Sequence, residues 1–395
     1  MAGELPSARR TRLLQVMAAE KLDAIVCRLP ENVLLLTGYW PICGWAFAVL
    51  SSQGEAVCIV PDTEEREARD ELSDCALASY AFGTKEPVDQ LQEIRAALES
   101  TSAGRRWRRV GWEESFETAA PAWNAAESLL PAGPTRRVLE GVFARENLVD
   151  VTRVLEIEKA AKTPAEAEKV ARSARISCIG MTEFCKTVDA GRSGVELAAA
   201  VESAIMREGT GFDDARRVRA FAQVATGPEE TFRAWRPAEI TTTRRLREGD
   251  IALLELAVVA DGYWRDRTRA RVAGRASERQ KEINQIVSRG QKAAISVVRP
   301  GVSGREVDEA GRSEIRAAGQ DRAFVHITGH GLGFRYHEAM PFLASWSTDV
   351  LREGMIHSVE PGIYLSDFGG IRIEDDVLVT PQGAQVLGPF PTDLD

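Results

Sequence analysis

The apolar positions of the first part of the chain switch repeatedly between helical and strand spacing. A helical pattern over Ala8–Glu20 leads into a strand-length apolar run at Asp23–Arg28. Glu31–Tyr39, Ala46–Leu50 and Ala56–Pro61 continue the series. Such alternation of helix and strand over about 150 residues is the pattern of an α/β domain. Thr101–Arg109 and the proline-containing Leu130–Thr135 read as loops. This half carries no catalytic constellation, so it is expected to shape a site or a dimer contact.

A second unit begins near Lys162. Thr163-Pro164-Ala165-Glu166 combines a capping box with proline at the first helical position, two independent helix-start signals. Ala167, Val170, Ala174, Cys178, Met181 and Cys185 then recur at spacings of three and four, which defines one buried helix face. This unit reads as internally duplicated. Arg192-Ser193-Gly194-Val195-Glu196-Leu197 starts one helix and Val302-Ser303-Gly304-Arg305-Glu306-Val307 another, both as capping boxes. Each runs fifteen residues from its first glycine to a terminating one, Gly209 and Gly319. A longer helix precedes each, the second opening on the capping box Ser277-Glu278-Arg279-Gln280. A glycine-led strand follows each, Gly249–Glu255 and Gly354–Glu360, with a carboxylate six residues past the glycine. Two halves related by a pseudo-twofold axis would bring those strands together.

Composition narrows the function. A chain of 395 residues exceeds one ordinary core, so two domains are expected, 1–158 and 159–395. The 44% apolar and 28% charged residues are the balance of a globular protein. A net charge of -9 leaves no basic excess to displace counterions from a phosphate backbone, which argues against nucleic acid. The basic run Arg105-Arg106-Trp107-Arg108-Arg109 reads as a solvated loop between domains. The six cysteines, Cys27, Cys43, Cys58, Cys75, Cys178 and Cys185, form no CxxC pair, so free thiols in a reducing compartment are expected. Met1–Leu14 has no apolar signal core, and no run approaches the ~20 apolar residues of a membrane span. A cytoplasmic enzyme without a membrane partner fits these features.

The chemistry rests on acids placed where acids are costly. Glu255 interrupts Ile-Ala-Leu-Leu-Glu-Leu-Ala-Val-Val, a strand buried on both faces. Either a metal or an arginine would offset the cost of burying that carboxylate. Asp266 follows in Tyr263-Trp264-Arg265-Asp266-Arg267-Thr268. A strand there would set Thr268 beside it as support; the competing reading is a surface acid among arginines. His330 lies in Thr328-Gly329-His330-Gly331-Leu332-Gly333, with His337 seven residues on, and the glycines imply closely approaching backbone. Of the four histidines (His326, His330, His337 and His357) two fall in this one segment. Glu360 precedes Pro361-Gly362, and Glu374 sits in a β-branched run. Four carboxylates and one imidazole suit a dinuclear manganese, cobalt, iron or zinc site. No thiolate stands among them, which disfavours structural zinc.

In these segments the chain resembles the pita-bread-fold metallopeptidases, the group of Xaa-Pro dipeptidase (prolidase), aminopeptidase P, methionine aminopeptidase and creatinase. The segments are Gly262–Arg269, Gly329–Gly333, His337–Pro341, Glu360–Tyr364 and Arg372–Asp375, in order. Looser likeness extends over Pro30–Val33 and Leu36–Tyr39, as in the two-domain prolidases and creatinases. The resemblance implies an α+β fold: a creatinase-like α/β domain followed by a pita-bread domain with pseudo-twofold duplication. It also implies two divalent metal ions, manganese first among them. Asp266 and Glu374 would bridge the ions, His330 and Glu360 would hold one, and Glu255 the other. Glu360 would take a proton from the attacking water, His337 would contact substrate, and Tyr364 would assist proton transfer. A homodimer acting on a small peptide or amide is likewise implied.

Two positions depart from the family pattern. Glu255 stands where aspartate is usual, and its extra methylene shifts the carboxylate by about one bond length. After Thr226-Gly227-Pro228, where the peptidases and creatinase carry a histidine, the alignment gives Trp235. Tryptophan can stack or exclude water but cannot transfer protons. Arg233 or Arg236 would be able to grip a substrate carboxylate, or each is a surface arginine. The expectation is therefore an Xaa-Pro dipeptidase or aminopeptidase P. The competing expectations are a creatinase- or ectoine-hydrolase-like enzyme acting on a small non-peptide C–N bond with an incomplete or absent metal centre, and a pseudoenzyme.

Overall fold

The structure is a computed structural model that describes residues 7–42, 45–72, 74–83, 86–115, 132–236 and 240–395. The chain divides into two compact units, one of described residues up to Lys159 and one from Ala160 to Asp395.

The first unit is built on a six-stranded mixed sheet. Its spatial order is Ala76–Tyr80, Ala56–Pro61, Phe47–Ser51, Ala24–Cys27, Val110–Trp112, Leu148–Asp150. The apolar runs are its central strands, and Val26, Val49, Ile59 and Val110 share a core with Ile94, Leu98, Val138 and Leu139 of two helices. One of those helices, Gln90–Ser102, is capped by Asp89, whose carboxylate accepts from the Leu91 and Gln92 amides. The other starts at Ala132, inside a segment expected to be a loop. Pro134 misled that reading, because a proline in the first turn removes an amide that has no helical partner anyway. The Arg105–Arg109 segment is exposed, as expected, but it lies within this unit rather than between domains.

In the second unit the capping boxes at Thr163, Ser193, Ser277 and Ser303 all form as read from the sequence. They open the helices Pro164–Thr187, Gly194–Ala204, Glu278–Val297 and Gly304–Ala317. The halves correspond in detail: Ser193 bridges Arg245, and Ser303 bridges Val350. They differ at one helix end, where Gly194–Ala204 continues into a π turn, Ile205–Gly209, instead of running regularly to its glycine.

The strands do not meet as expected. Ile251–Ala260 pairs with Val218–Thr226, Tyr263–Arg265 and Thr268–Val272 in one sheet. Ile356–Val359 lies in another, between Gly329–Gly331 and Asp375–Thr380. The sheets join instead at strand breaks. The Glu374 amide donates to the Thr268 carbonyl at 3.2 Å, and the Asp266 amide donates to Asp376 Oδ2 at 3.2 Å. Asp266, Glu360 and Glu374 each occupy a break between consecutive strands. A residue there is released from ladder geometry and can aim its side chain inward.

The arginines around Asp266 are buried, which removes the surface-acid reading. Arg265, Arg267 and Arg269 are among the largest fully buried side chains. Arg269 Nη2 pairs with Asp375 Oδ1 at 2.8 Å, and Arg265 Nε with Asp376 Oδ2 at 3.2 Å. Buried charges persist only when compensated, and these pairs anchor the strands that carry the acids.

Candidate metal centre

The His330 strand is fixed by two glycines. A Cβ on Gly329 would lie 2.1 Å from the Ser358 carbonyl oxygen, and one on Gly331 1.8 Å from that of Met340. Only glycine lets the flanking strands approach this closely. The His330 amide donates to Ser358 Oγ at 3.0 Å, and Nδ1 lies 3.0 Å from the Gly331 carbonyl. That contact sets the proton on Nδ1 and leaves the Nε2 lone pair free. Burial, with the neighbouring His337, holds the imidazole well below its ordinary range, hence neutral.

Nε2 faces Glu360 Oε1 at 3.5 Å and Asp266 Oδ2 at 3.8 Å. Ligand atoms of His330, Glu360 and Glu374 lie within 4.8 Å of one another, and so do those of Asp266, His330 and His337. Ser358 Oγ donates to Glu360 at 3.0 Å, and Thr268 Oγ1 donates to Glu374 Oε2 at 2.6 Å. The threonine thus supports Glu374, not Asp266, because the strand expected to carry both residues breaks between them. Burial pushes Asp266, Glu360 and Glu374 above the usual carboxylate range, and their mutual repulsion pushes the same way. Asp266 Oδ1 and Glu374 Oε1 are buried with no hydrogen-bond partner. Orphaned, mutually repelling oxygens beside a neutral imidazole are a donor set that fits a divalent cation.

Glu255 is held differently. Its Oε2 accepts from Arg372 Nη2 at 2.5 Å and its Oε1 from the Tyr336 hydroxyl at 2.6 Å. Burial alone would raise its pKa, but Arg372, Tyr336 and His337 outweigh it and hold the carboxyl below the usual range. Of the two partners considered for this buried acid, the structure shows the arginine. Glu255 belongs to neither ligand group among the described residues.

Arg372 is a hub that sequence reasoning missed. Nε donates to Thr268 Oγ1 at 2.9 Å, and Nη1 to the Ala234 carbonyl at 3.0 Å and to the Tyr364 hydroxyl at 3.3 Å. Tyr364 in turn lies 3.1 Å from His326 Nε2, and His326 Nδ1 lies 2.7 Å from the Ile327 carbonyl. Burial, reinforced by Arg372, lowers His326 to about 3, so it is neutral and its Nε2 accepts the hydrogen bond of the Tyr364 hydroxyl. Burial raises Tyr364 to about 12. Lys162 was also missed: it pairs with Glu338 at 2.6 Å, both fully buried, directly after His337. An arginine beside a β-branched run carries no sequence sign of its partner, since these pairs span more than a hundred residues.

His337 is half-buried, its ring 4.2 Å from that of His330. Trp235 is 43% exposed, with Arg236 over its indole at 5.3 Å, and Arg233 and Arg236 are exposed. Their loop is tied to the centre through the Ala234 carbonyl that Arg372 holds. Pro237 lies outside the described residues.

Comparison with known proteins follows the same division. The Creatinase/Prolidase N-terminal domain matches residues 9–157. The chain is 28% identical to an Xaa-Pro dipeptidase of Pyrococcus furiosus over 382 residues, 96% of this chain and 97% of the relative. The crystal structure of the prolidase from Pyrococcus horikoshii OT3 superposes with a TM-score of 0.79 at 25% identity, covering 98% of this chain and all of the other. Dipeptidase PepE from Mycobacterium ulcerans gives 0.73 at 26% identity, covering 99% of each chain. The family model for Metallopeptidase family M24 matches residues 168–381, the segment that carries every group of the centre, and the chain belongs to that family.

Proposed function

We propose that the protein is a metal-dependent peptidase that hydrolyses the Xaa-Pro bond of dipeptides or short peptides. The observation that carries the reading is that His330 shares one ligand group with Glu360 and Glu374 and another with Asp266 and His337, and that buried oxygens of Asp266 and Glu374 have no partner. Full-length similarity to an Xaa-Pro dipeptidase supports the choice of substrate. Asp266, His330, Glu360 and Glu374 would be the ligands for metal, manganese in the first instance. A divalent ion bound there supplies Lewis acidity toward water and the amide carbonyl.

The chain's own groups supply the rest. Glu360, oriented by Ser358, is the general base that takes the proton of the attacking water. His337, beside His330 yet only half-buried, is placed to donate to the substrate. Tyr364, held between Arg372 and His326, keeps its proton near neutral pH and assists proton transfer. Trp235, Arg233 and Arg236 form the substrate side, the indole stacking on a ring and a guanidinium reaching the C-terminal carboxylate. Action in the cytoplasm as a homodimer completes the proposal. The free described cysteines support the cytoplasmic location, and no described helix is long and apolar enough to cross a membrane. Cys43 lies outside the described residues.

The test is hydrolysis of Ala-Pro, Gly-Pro and short Xaa-Pro peptides with added Mn²⁺ and after chelation. Cleavage that chelation removes is expected; intact Xaa-Pro substrates under all metal conditions would sink the reading. The exposed Trp235 favours one second reading, a hydrolase of a small non-peptide C–N bond. Turnover of creatine- or ectoine-like amides in place of peptides would establish it.

A further inference from the structure

The strand that follows His337, Glu338–Leu343, lies at the edge of its sheet and pairs with the strand that carries His330. His330 stands directly opposite Phe342 in that pairing, before the register shifts at Gly331. Opposed residues of a ladder project to the same face, so Phe342 stands on the face of the metal ligand. Leu343, the next residue, turns the other way, into the core with Val359 and Val377. The backbone of Phe342 is directed away from the His330 strand. Its amide donates to Asp349 Oδ2 at 2.9 Å, and its carbonyl oxygen lies so close to Gly304 that no Cβ would fit there. Opposed residues whose ladder groups point outward form the non-hydrogen-bonded kind of pair, in which the side chains are closest.

Phe342 is half-buried, and its ring lies 5.4 Å from that of Trp346. Trp346 is 60% exposed, a wasteful placement for a side chain that gains so much from burial. Its loop is nevertheless firmly held. The Ser347 amide donates to the Ala344 carbonyl at 2.9 Å, the Asp349 amide to Ser347 Oγ at 3.2 Å, and the Gly304 amide to the Asp349 carbonyl at 2.8 Å. The indole is therefore displayed on a pinned loop, with its ordering cost already met before anything binds. Two apolar rings beside His330 offer no hydrogen bond to a polar substituent, and they reward an apolar one.

We propose that Phe342 and Trp346 form an apolar subsite of the metal centre, which takes a large aliphatic or aromatic side chain of the peptide neighbouring the Xaa-Pro bond. This rests on the peptidase reading and specifies its substrate class, peptides with a bulky apolar residue in preference to those built from glycine or alanine. The two rings determine specificity and take no part in proton transfer.

The test is the affinity of uncleavable peptides, with the scissile carbonyl reduced to a methylene, for the full-length protein equilibrated with Mn²⁺. Titration calorimetry compares reduced Phe-Pro with reduced Gly-Pro, and reduced Gly-Pro-Phe with reduced Gly-Pro-Gly. In at least one of these pairs the phenylalanine peptide is expected to bind about 10-fold tighter, the gain from partly burying one aromatic side chain. The pair that shows the gain places the side chain on one side of the bond. Trp346→Ala removes an exposed group and leaves the core intact, and it should reduce that preference; Phe342→Ala should abolish it. Equal affinities within both pairs overturn the proposal, as does a preference that both variants retain. A Trp346→Ala protein that binds all four peptides as before but dissociates into smaller oligomers also overturns it, and assigns the rings to a contact between copies of the chain. Cleavage of Phe-Pro and Gly-Pro is scored separately. Cleavage without any apolar preference in binding overturns only the subsite, whereas preferential binding without cleavage overturns only the choice of reaction.

Discussion

Two buried carboxylate oxygens without a donor, on Asp266 and Glu374, are the residue-level reason to place a cation here. Glu360 has one fixed donor, Ser358, and faces the same space. Glu360→Gln keeps the shape and one ligand oxygen but removes the base. It is expected to lower kcat by about 10²–10⁴ with a smaller change in KM, and steady-state kinetics on Ala-Pro that find kcat unchanged would remove Glu360 from that role. A second residue-scale prediction concerns Lys162, whose loss removes a fully buried ammonium from Glu338. Lys162→Met should cost about 3–5 kcal/mol of stability, read by chemical denaturation. An unaltered midpoint would mean that the pair contributes nothing. At this scale the sequence revealed the acids because each one interrupts an apolar or β-branched run. It concealed Arg372, Tyr336, Lys162 and the role of His326, because a long-range partner leaves no mark on local pattern.

Elements were legible where their signals are local. The four capping boxes each lie within four residues, and all four form. Ser303→Ala should destabilise by about 1 kcal/mol, the usual cost of losing such a cap, and thermal unfolding checks it. Strand partners were less legible, since apolar runs show that strands are buried but not which neighbours they choose. The break at Asp266-Arg267 is a case in point. The expected continuous strand would have set Thr268 beside Asp266, whereas the break turns its hydroxyl to Glu374. The glycines around His330 gave correct warning of close backbone. Gly331→Ala drives a methyl into the Met340 carbonyl. It is expected to abolish Mn²⁺ binding and lower Tm together, and normal binding would show that the strand can give way there.

For the whole molecule, the duplicated second unit and the two-part architecture followed from ordered motifs, while the meeting of its sheets at strand breaks did not. Buried neutral histidines give the fold a pH dependence of definite sign. Burial lowers His326 to about 3 and His357 to about 4. The unfolded chain binds these protons near the ordinary histidine value and the folded one does not. Stability is therefore complete above about pH 6.5 and falls as the pH drops toward 4, by on the order of a few kcal/mol. Unfolding midpoints between pH 7 and 4 should show this fall, and His326→Gln with His357→Gln should flatten it. An equally steep fall in that double variant would assign the effect elsewhere.

The claim on which the proposed function depends is that Asp266, His330, Glu360 and Glu374 converge on a metal. Anomalous diffraction at the manganese edge from Mn²⁺-loaded crystals tests it most directly. Anomalous density bonded to these side chains is predicted. Four side chains with no anomalous density between them, or a peak bound elsewhere, would contradict the account.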